Sequence, residues 1–216
     1  MSFPIQHPIV DGPGRLTEIC TFRKSSIPEE EFNSIYGEIT ASVSKFPISR
    51  QGILGVQTAD RQVVAMVADW TSAAEKDGFE PGEQYQSVKP HFGKIIDGEN
   101  PTFACHHIIL PTGAGTTPRA AAYIVSHATV PQADQAAAAV AYTEFVKSSP
   151  AHLDFLAVSF SREDANVLVT LTGHNDAAAA AAFQQSEAYK QLQAAVAKVA
   201  TATSSYDVEY QSSSVY

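Results

Sequence analysis

The stretch Asn166–Tyr210 repeats an earlier one, Val63–His106, at an offset of 104 residues. Val63 matches Val167, Phe79 matches Phe183, Glu83 matches Glu187, Tyr85 matches Tyr189 and Lys94 matches Lys198. Both copies read as a strand, a polar corner, a helix and a closing strand. A chain that says the same thing twice is expected to build two similar halves, and this constrains the fold more than any single motif.

The order before each copy agrees. In the first half, Leu16–Arg23 alternates as a strand, with Leu16, Glu18, Cys20 and Phe22 on one face. A helix opens at Pro28 and Glu29–Glu31 and buries a stripe of Phe32, Ile35, Tyr36, Ile39, Val43 and Phe46. Gly52–Thr58 and Val63–Trp70 read as strands and Asp77–Gly82 as a loop. Glu83–Ile96 is a helix that Pro90 should kink or split, and Pro101–Leu110 is a strand. The second half is expected as strand Ala121–Val130, helix Ala133–Val146, hairpin Leu153–Phe160 with Val167–Thr172, a helical turn at Asp176–Ala182, helix Ser186–Ala200 and strand Tyr206–Tyr210. The division is an extended arm (1–14), a first half (15–110), a linker (111–118), a second half (119–211) and a serine-rich tail (212–216).

Each half is thus β-α-β-β-α-β, the ferredoxin-like split unit, and the fold class is α+β. Both helices of such a unit lie on one face of its sheet, which leaves the other face apolar and uncovered. Two halves in one chain can close these faces on each other.

Composition narrows the function. A formal net charge of −9 with no cluster of Lys and Arg argues against nucleic acid. No apolar run approaches the roughly 20 residues of a membrane span, and residues 1–14 lack the pattern of a secretory signal. A soluble, cytoplasmic protein is expected. Cys20 and Cys105 lie in different strands of one half, where they are neighbours or simply buried free thiols; the latter is the commoner behaviour of lone cysteines. Gly113-Ala-Gly115 leads to Pro118 and another strand, so it is not a dinucleotide turn. No His-x-x-x-His, Cys-x-x-Cys or acidic cluster points to a metal, and no serine or cysteine nucleophile motif is present.

The run Val167-Leu-Val-Thr-Leu171, a polar corner, then Phe183-Gln-Gln-Ser-Glu-Ala-Tyr-Lys-Gln-Leu192 resembles the dimeric α/β barrel superfamily, in particular its antibiotic-biosynthesis-monooxygenase-like domain. The first half repeats it as Ala65-Met-Val-Ala-Asp-Trp70 followed by Phe79 and Tyr85. The resemblance implies an intrachain version of a barrel that relatives build by dimerising, so a monomeric pseudo-dimer, or a homodimer of it, is expected. It implies a cavity between sheet and helices for a small hydrophobic, aromatic or polyketide-like molecule. Relatives include monooxygenases, cyclases, isomerases, decarboxylases and haem enzymes, so the fold does not choose among activities.

The candidate residues are polar groups on apolar elements. His106 and His107 sit in the last strand of the first half and face opposite ways, one toward the helices and one toward the barrel centre. Pro90-His91-Phe92 is similar to a segment of the family's polyketide cyclases. A histidine titrating near neutrality suits proton transfer from a phenol or an acidic carbon, so His106, His107 and His91 are the catalytic candidates; a core or interface histidine satisfied by backbone is the commoner reading of His106 or His107 alone, and an exposed surface histidine an equal one for His91. Glu18, Trp70, Tyr85 and Phe92 are the substrate-binding candidates, with Glu18 a base if burial raises its pKa. Asp69 is a residue that could orient a histidine. At the 104 offset His127 falls opposite Arg23 and His174 opposite Trp70, and the richer first half is expected to carry the site. The resulting expectation is a cofactor-independent, metal-free enzyme of natural-product biosynthesis, a lyase- or isomerase-type cyclase. A cofactor-free monooxygenase or a non-catalytic binding or stress-related protein is the alternative. Haem held through one histidine, which leaves no sequence pattern, is a minor one.

Overall fold

The computed structural model describes residues 3–7, 15–45, 49–99, 103–110, 117–148 and 150–215. The first half comprises β2 (Arg15–Arg23), α1 (Glu29–Val43), β3 (Ser49–Gln57), β4 (Val63–Trp70), α2 (Ala73–Phe79), α3 (Glu83–Ile95) and β5 (Ala104–Leu110). The second repeats the order as β6 (Ala122–Thr129), α4 (Gln135–Lys147), β7 (Phe155–Phe160), β8 (Val167–His174), α5 (Ala177–Gln185), α6 (Glu187–Ala197) and β9 (Ala202–Val215). Part of the expected arm is itself a strand, β1 (Ile5–His7), paired with β7. Of the expected linker, residues 111–116 lie outside the described residues.

Local chemistry accounts for most boundaries. In α1, three glutamates occupy the first turn and Phe32, Ile35, Tyr36 and Ile39 are buried at helical spacing. Residues 77–79, read as loop, belong instead to α2: the Ser72 hydroxyl accepts the Glu75 backbone N–H at 3.2 Å, and Ser72-Ala-Ala-Glu75 is a capping box. Pro90 does not split α3, which runs unbroken from Glu83 to Ile95. The closing strand β9 does not stop at Tyr210. It runs on through the serine-rich tail, because β3 offers it a ladder from Gln57↔Val208 to Gln51↔Val215.

The strands of the described residues join one antiparallel sheet in the order β1-β7-β8-β6-β9-β3-β4-β2-β5. The β3–β9 ladder joins the halves on one side. On the other, β5 approaches β7 through an Ile108↔Ser161 bridge and an Arg162 N–H donated to the His107 carbonyl at 2.9 Å. Eight strands therefore form a nearly closed barrel. Its centre packs Ile19, Val67 and Ile108 of the first half against Tyr123, Phe155 and Leu171 of the second. The helices of each half cover separate outer cores. Gly55 lies on the joining ladder, where a Cβ would come 2.8 Å from the Glu209 carbonyl oxygen and against Val208, so no larger residue fits without moving backbone.

The duplication is not uniform in space. Leu16 pairs with Trp70 and Ala122 with His174, so the leading strands match at an offset of 106 while β4 and β8 match at 104. His127 is therefore the counterpart of Thr21 rather than of Arg23. By the same pairing Glu18 corresponds to Ile124 and Cys20 to Ser126.

One end of the barrel is tied by buried polar groups. The Asp69 carboxylate accepts from Arg15 Nε at 3.1 Å, Thr17 Oγ1 at 2.8 Å and the Thr117 backbone N–H at 2.5 Å. Gln51 Nε2 donates to the Thr117 carbonyl at 2.6 Å. Asp69 thus holds an arginine and the start of the second half, not a histidine. Asp69→Ala removes the acceptor of these buried donors, so it is expected to cost about 3–5 kcal/mol of stability, read as a lowered urea midpoint.

Candidate active site

A cavity of about 340 Å³ lies between the first-half sheet and helices α1 and α3. Its walls are apolar: Phe22, Ile39, Val43, Met66, Phe92 and Ile96, with Trp70, Phe79 and Tyr85 as an aromatic corner. The polar groups gather around Glu18, on the helix-facing side of β2. Glu18 Oε2 accepts the Trp70 indole N–H at 2.8 Å and stands 3.6 Å from both Lys76 Nζ and His107 Nε2. Glu18 Oε1 has sulfur neighbours, Cys20 Sγ at 3.3 Å and Cys105 Sγ at 3.6 Å.

Cys20 and Cys105 are directly opposite in the β2–β5 ladder and form a disulfide, with Cα atoms 4.1 Å apart. The expectation of free thiols is overturned by register: each cysteine points to the same face at the same level of adjacent strands. Cys20 lines the cavity, so the disulfide forms part of its floor.

Charge at this end is balanced by contact. Burial would raise the Glu18 pKa, but His107, the Lys76 ammonium and the Trp70 N–H together hold it below the ordinary value, the opposite of the expected shift. Lys76 is buried; burial would lower its pKa, yet Glu18 and then Glu80, 2.6 Å away, raise it. Its ammonium also lies 4.9 Å from the Trp70 ring centre and 5.7 Å from that of Tyr85. Burial raises the Tyr85 pKa.

His107 is held from the other half. Glu163, just after β7, accepts its backbone N–H at 2.9 Å and sits 2.6 Å from its Nδ1. Burial would lower the His107 pKa, but Glu18 and then Glu163 raise it. Glu163, despite partial burial, falls to about 2 through the Ser161 hydroxyl and the His107 N–H groups.

The remaining candidates go elsewhere. Glu18, Trp70, Tyr85 and Phe92 all line the cavity. His107 stands behind Glu18 rather than on the wall. His106 faces the barrel interior as the opposite-facing partner, 3.1 Å from Ser161 Oγ and with its ring 4.8 Å from that of His127. His91 does not line the cavity; it is turned toward α1, with Nδ1 3.1 Å from Glu38 Oε2. Among the described residues no histidine lines the cavity. Two participants escaped the sequence reading. Lys76 lay beside a segment read as loop, and Glu163 lies in the other half, where no local pattern connects it to His107.

The second half lacks the constellation. Ile124, Ser126, Ser205 and Asp207 replace Glu18, Cys20, Cys105 and His107. His174, in the place of Trp70, is fully buried, with Nε2 2.9 Å from Thr172 Oγ1 and Nδ1 2.6 Å from the His152 carbonyl. It is a satisfied core residue.

The His107–Glu163 pair makes stability depend on pH in two windows. His107 binds its proton more tightly folded than unfolded, so its contribution is present below about 6.5 and fades as pH rises through the raised folded value. The Glu163 contribution is present above the ordinary carboxylate range and is lost as pH falls toward about 2. Glu163→Gln is expected to lower the His107 pKa, followed by the imidazole C–H resonances, and to flatten both limbs of the stability profile.

No protein-family model and no curated protein sequence matches this chain. Solved structures do. A proposed monooxygenase of Fusobacterium nucleatum superposes with a TM-score of 0.72 at 7% identity, covering 94% of this chain and 95% of that one. An anthrone oxidase-like protein gives 0.67 at 14% identity, covering 93% of each chain. A proposed chlorite dismutase gives 0.63 at 11%, covering 93% and 96%. At such identities the likeness establishes the fold, over nearly the whole length of each chain. This protein has the dimeric α/β barrel fold, with both halves of the barrel carried on one polypeptide.

Proposed function

We propose that the first-half cavity is the active site of a cofactor-independent enzyme that moves a proton on a small apolar, aromatic or polyketide-like molecule. The observation that carries this reading is the ionised Glu18 carboxylate at the polar end of an apolar cavity of about 340 Å³, with a buried ammonium beside it. A molecule of one to three fused rings matches such a space, and the aromatic corner offers faces for stacking.

Glu18 Oε1, whose neighbours are sulfurs rather than N–H or O–H donors, is the atom to receive a proton from a phenol or from a carbon next to a carbonyl; its lowered pKa makes it a weak base, so the reaction relies on Lys76 to acidify the substrate. The charge left on the substrate oxygen is stabilised by Lys76, in a low-dielectric site where such an interaction is strong. His107 is a positioning residue: held by Glu163, it keeps the carboxylate ionised between turnovers. Ring closure follows if the carbanion adds to a carbonyl of the same molecule. Oxygenation follows if it reduces O2, converting a ring CH2 to C=O with release of water. The names of two structural neighbours, a proposed monooxygenase and an anthrone oxidase-like protein, are of the second kind.

The protein would be offered anthrones, polycyclic phenols and 1,3-dicarbonyl compounds, with O2 uptake and product masses recorded, and exchange of acidic C–H followed in D2O. Exchange with O2 uptake marks a monooxygenase; exchange with cyclised product marks a cyclase. Glu18→Gln is expected to slow turnover by about 10²–10⁴-fold while ligands still bind. His91→Ala and His106→Phe are expected to leave turnover unchanged. Full activity in Glu18→Gln would reject the assignment.

A further inference from the structure

The donor atoms at the cavity floor have a second capability. Glu18, Cys105 and His107 each present one ligand atom, all within 4.8 Å of one another, and Cys20 Sγ adjoins them. Tetrahedral zinc, with bonds of about 2.3 Å to sulfur and about 2.0–2.1 Å to nitrogen or oxygen, requires ligand–ligand separations of about 3.3–3.8 Å. The separations here are 3.3 Å (Cys20 Sγ to Glu18 Oε1), 3.6 Å (Cys105 Sγ to Glu18 Oε1) and 3.6 Å (His107 Nε2 to Glu18 Oε2). These edges run to the two oxygens of one carboxylate, and the two sulfurs are bonded to each other.

The second line of support is the histidine. His107 Nε2 is buried, makes no hydrogen bond and points at this cluster, while Nδ1 is held by the Glu163 carboxylate at 2.6 Å. A carboxylate on one ring nitrogen that leaves the other directed at an ion is the arrangement that orients metal-binding histidines. Charge is also accommodated. Two thiolates and one carboxylate exceed a divalent ion by one negative charge, and Lys76 Nζ stands 3.6 Å from Glu18.

We propose that reduction of the Cys20–Cys105 disulfide opens a divalent metal site, of zinc type, formed by Cys20, Cys105, His107 and Glu18, with Glu163 orienting His107. In the oxidised chain the sulfurs are spent on each other and Glu18 serves the cavity; in the reduced chain the same residues close around an ion. The inference does not rest on the proton-transfer reading, since it needs no substrate and no turnover.

The test uses the full chain in two redox states. A trialkylphosphine reduces the disulfide, water supplying the two thiol protons and phosphorus taking the oxygen. After anaerobic desalting, Co2+ is titrated into reduced and oxidised protein, with circular dichroism as the check on folding. The expected result is one Co2+ per reduced chain with a thiolate-to-cobalt charge-transfer band, displacement by Zn2+, and no such uptake by the oxidised chain. Cys105→Ser, which leaves Cys20 as the single thiolate, should weaken binding and lower the band's intensity per bound cobalt, and Glu163→Gln should weaken binding by about 10–100-fold. Equal uptake in both redox states, cobalt bound without the band, undiminished binding by Cys105→Ser, or a reduced chain that unfolds would each overturn the proposal.

Discussion

The structure depends on one act of burial. Each half makes a four-stranded sheet with its helices on one side, and the opposite face is apolar with nothing of its own to cover it. The two faces cover each other. Ile19, Val67 and Ile108 meet Tyr123, Phe155 and Leu171 at the centre, and this contact obliges the sheets to curl into a barrel. The β3–β9 ladder and the Ile108↔Ser161 bridge then satisfy strand edges that would otherwise be open templates for pairing with other chains. The extension of β9 through Val215 follows from the same need, since Gln51–Leu54 of β3 would lose their β9 partners if the strand ended at Tyr210.

A fused pair frees the halves to diverge. Where the first half carries Glu18, Cys20, Trp70, Cys105 and His107, the second carries Ile124, Ser126, His174, Ser205 and Asp207. The second half is nevertheless more than scaffold. Its Ser161–Glu163 corner crosses the seam and holds His107, so the polar end of the first-half cavity is completed by a carboxylate from the other repeat. The seam that closes the barrel thus also sets a carboxylate of one half against a histidine of the other.

Much of the site was legible and some was not, for identifiable reasons. Glu18, Trp70, Tyr85 and Phe92 stand out as polar or aromatic groups on apolar elements, and alternation in β5 sends His106 and His107 to opposite faces. Pro90-His91-Phe92 misled in part, because a short motif on a helix does not tell which side of the helix faces the cavity; Phe92 lines it and His91 meets Glu38 instead. Lys76 was findable, since the Ser72–Glu75 capping box starts a helix that carries it inward. Glu163 was not, because a contact 56 residues away in sequence leaves no local trace.

The sequence by itself determined the duplication, the order of strands and main helices in each half, and the need for two apolar sheet faces to meet. These follow from periodicity and composition, which are local or additive properties. Only the tertiary structure decided the strand registers: offsets of 106 for the leading strands and 104 for β4 and β8, and Cys20 directly opposite Cys105. Register is set by hydrogen bonding between strands far apart in the chain and by what packs across the barrel. A slip of one residue sends every side chain to the other face. That is why the residues could be named in advance, while their meeting around Glu18 could not.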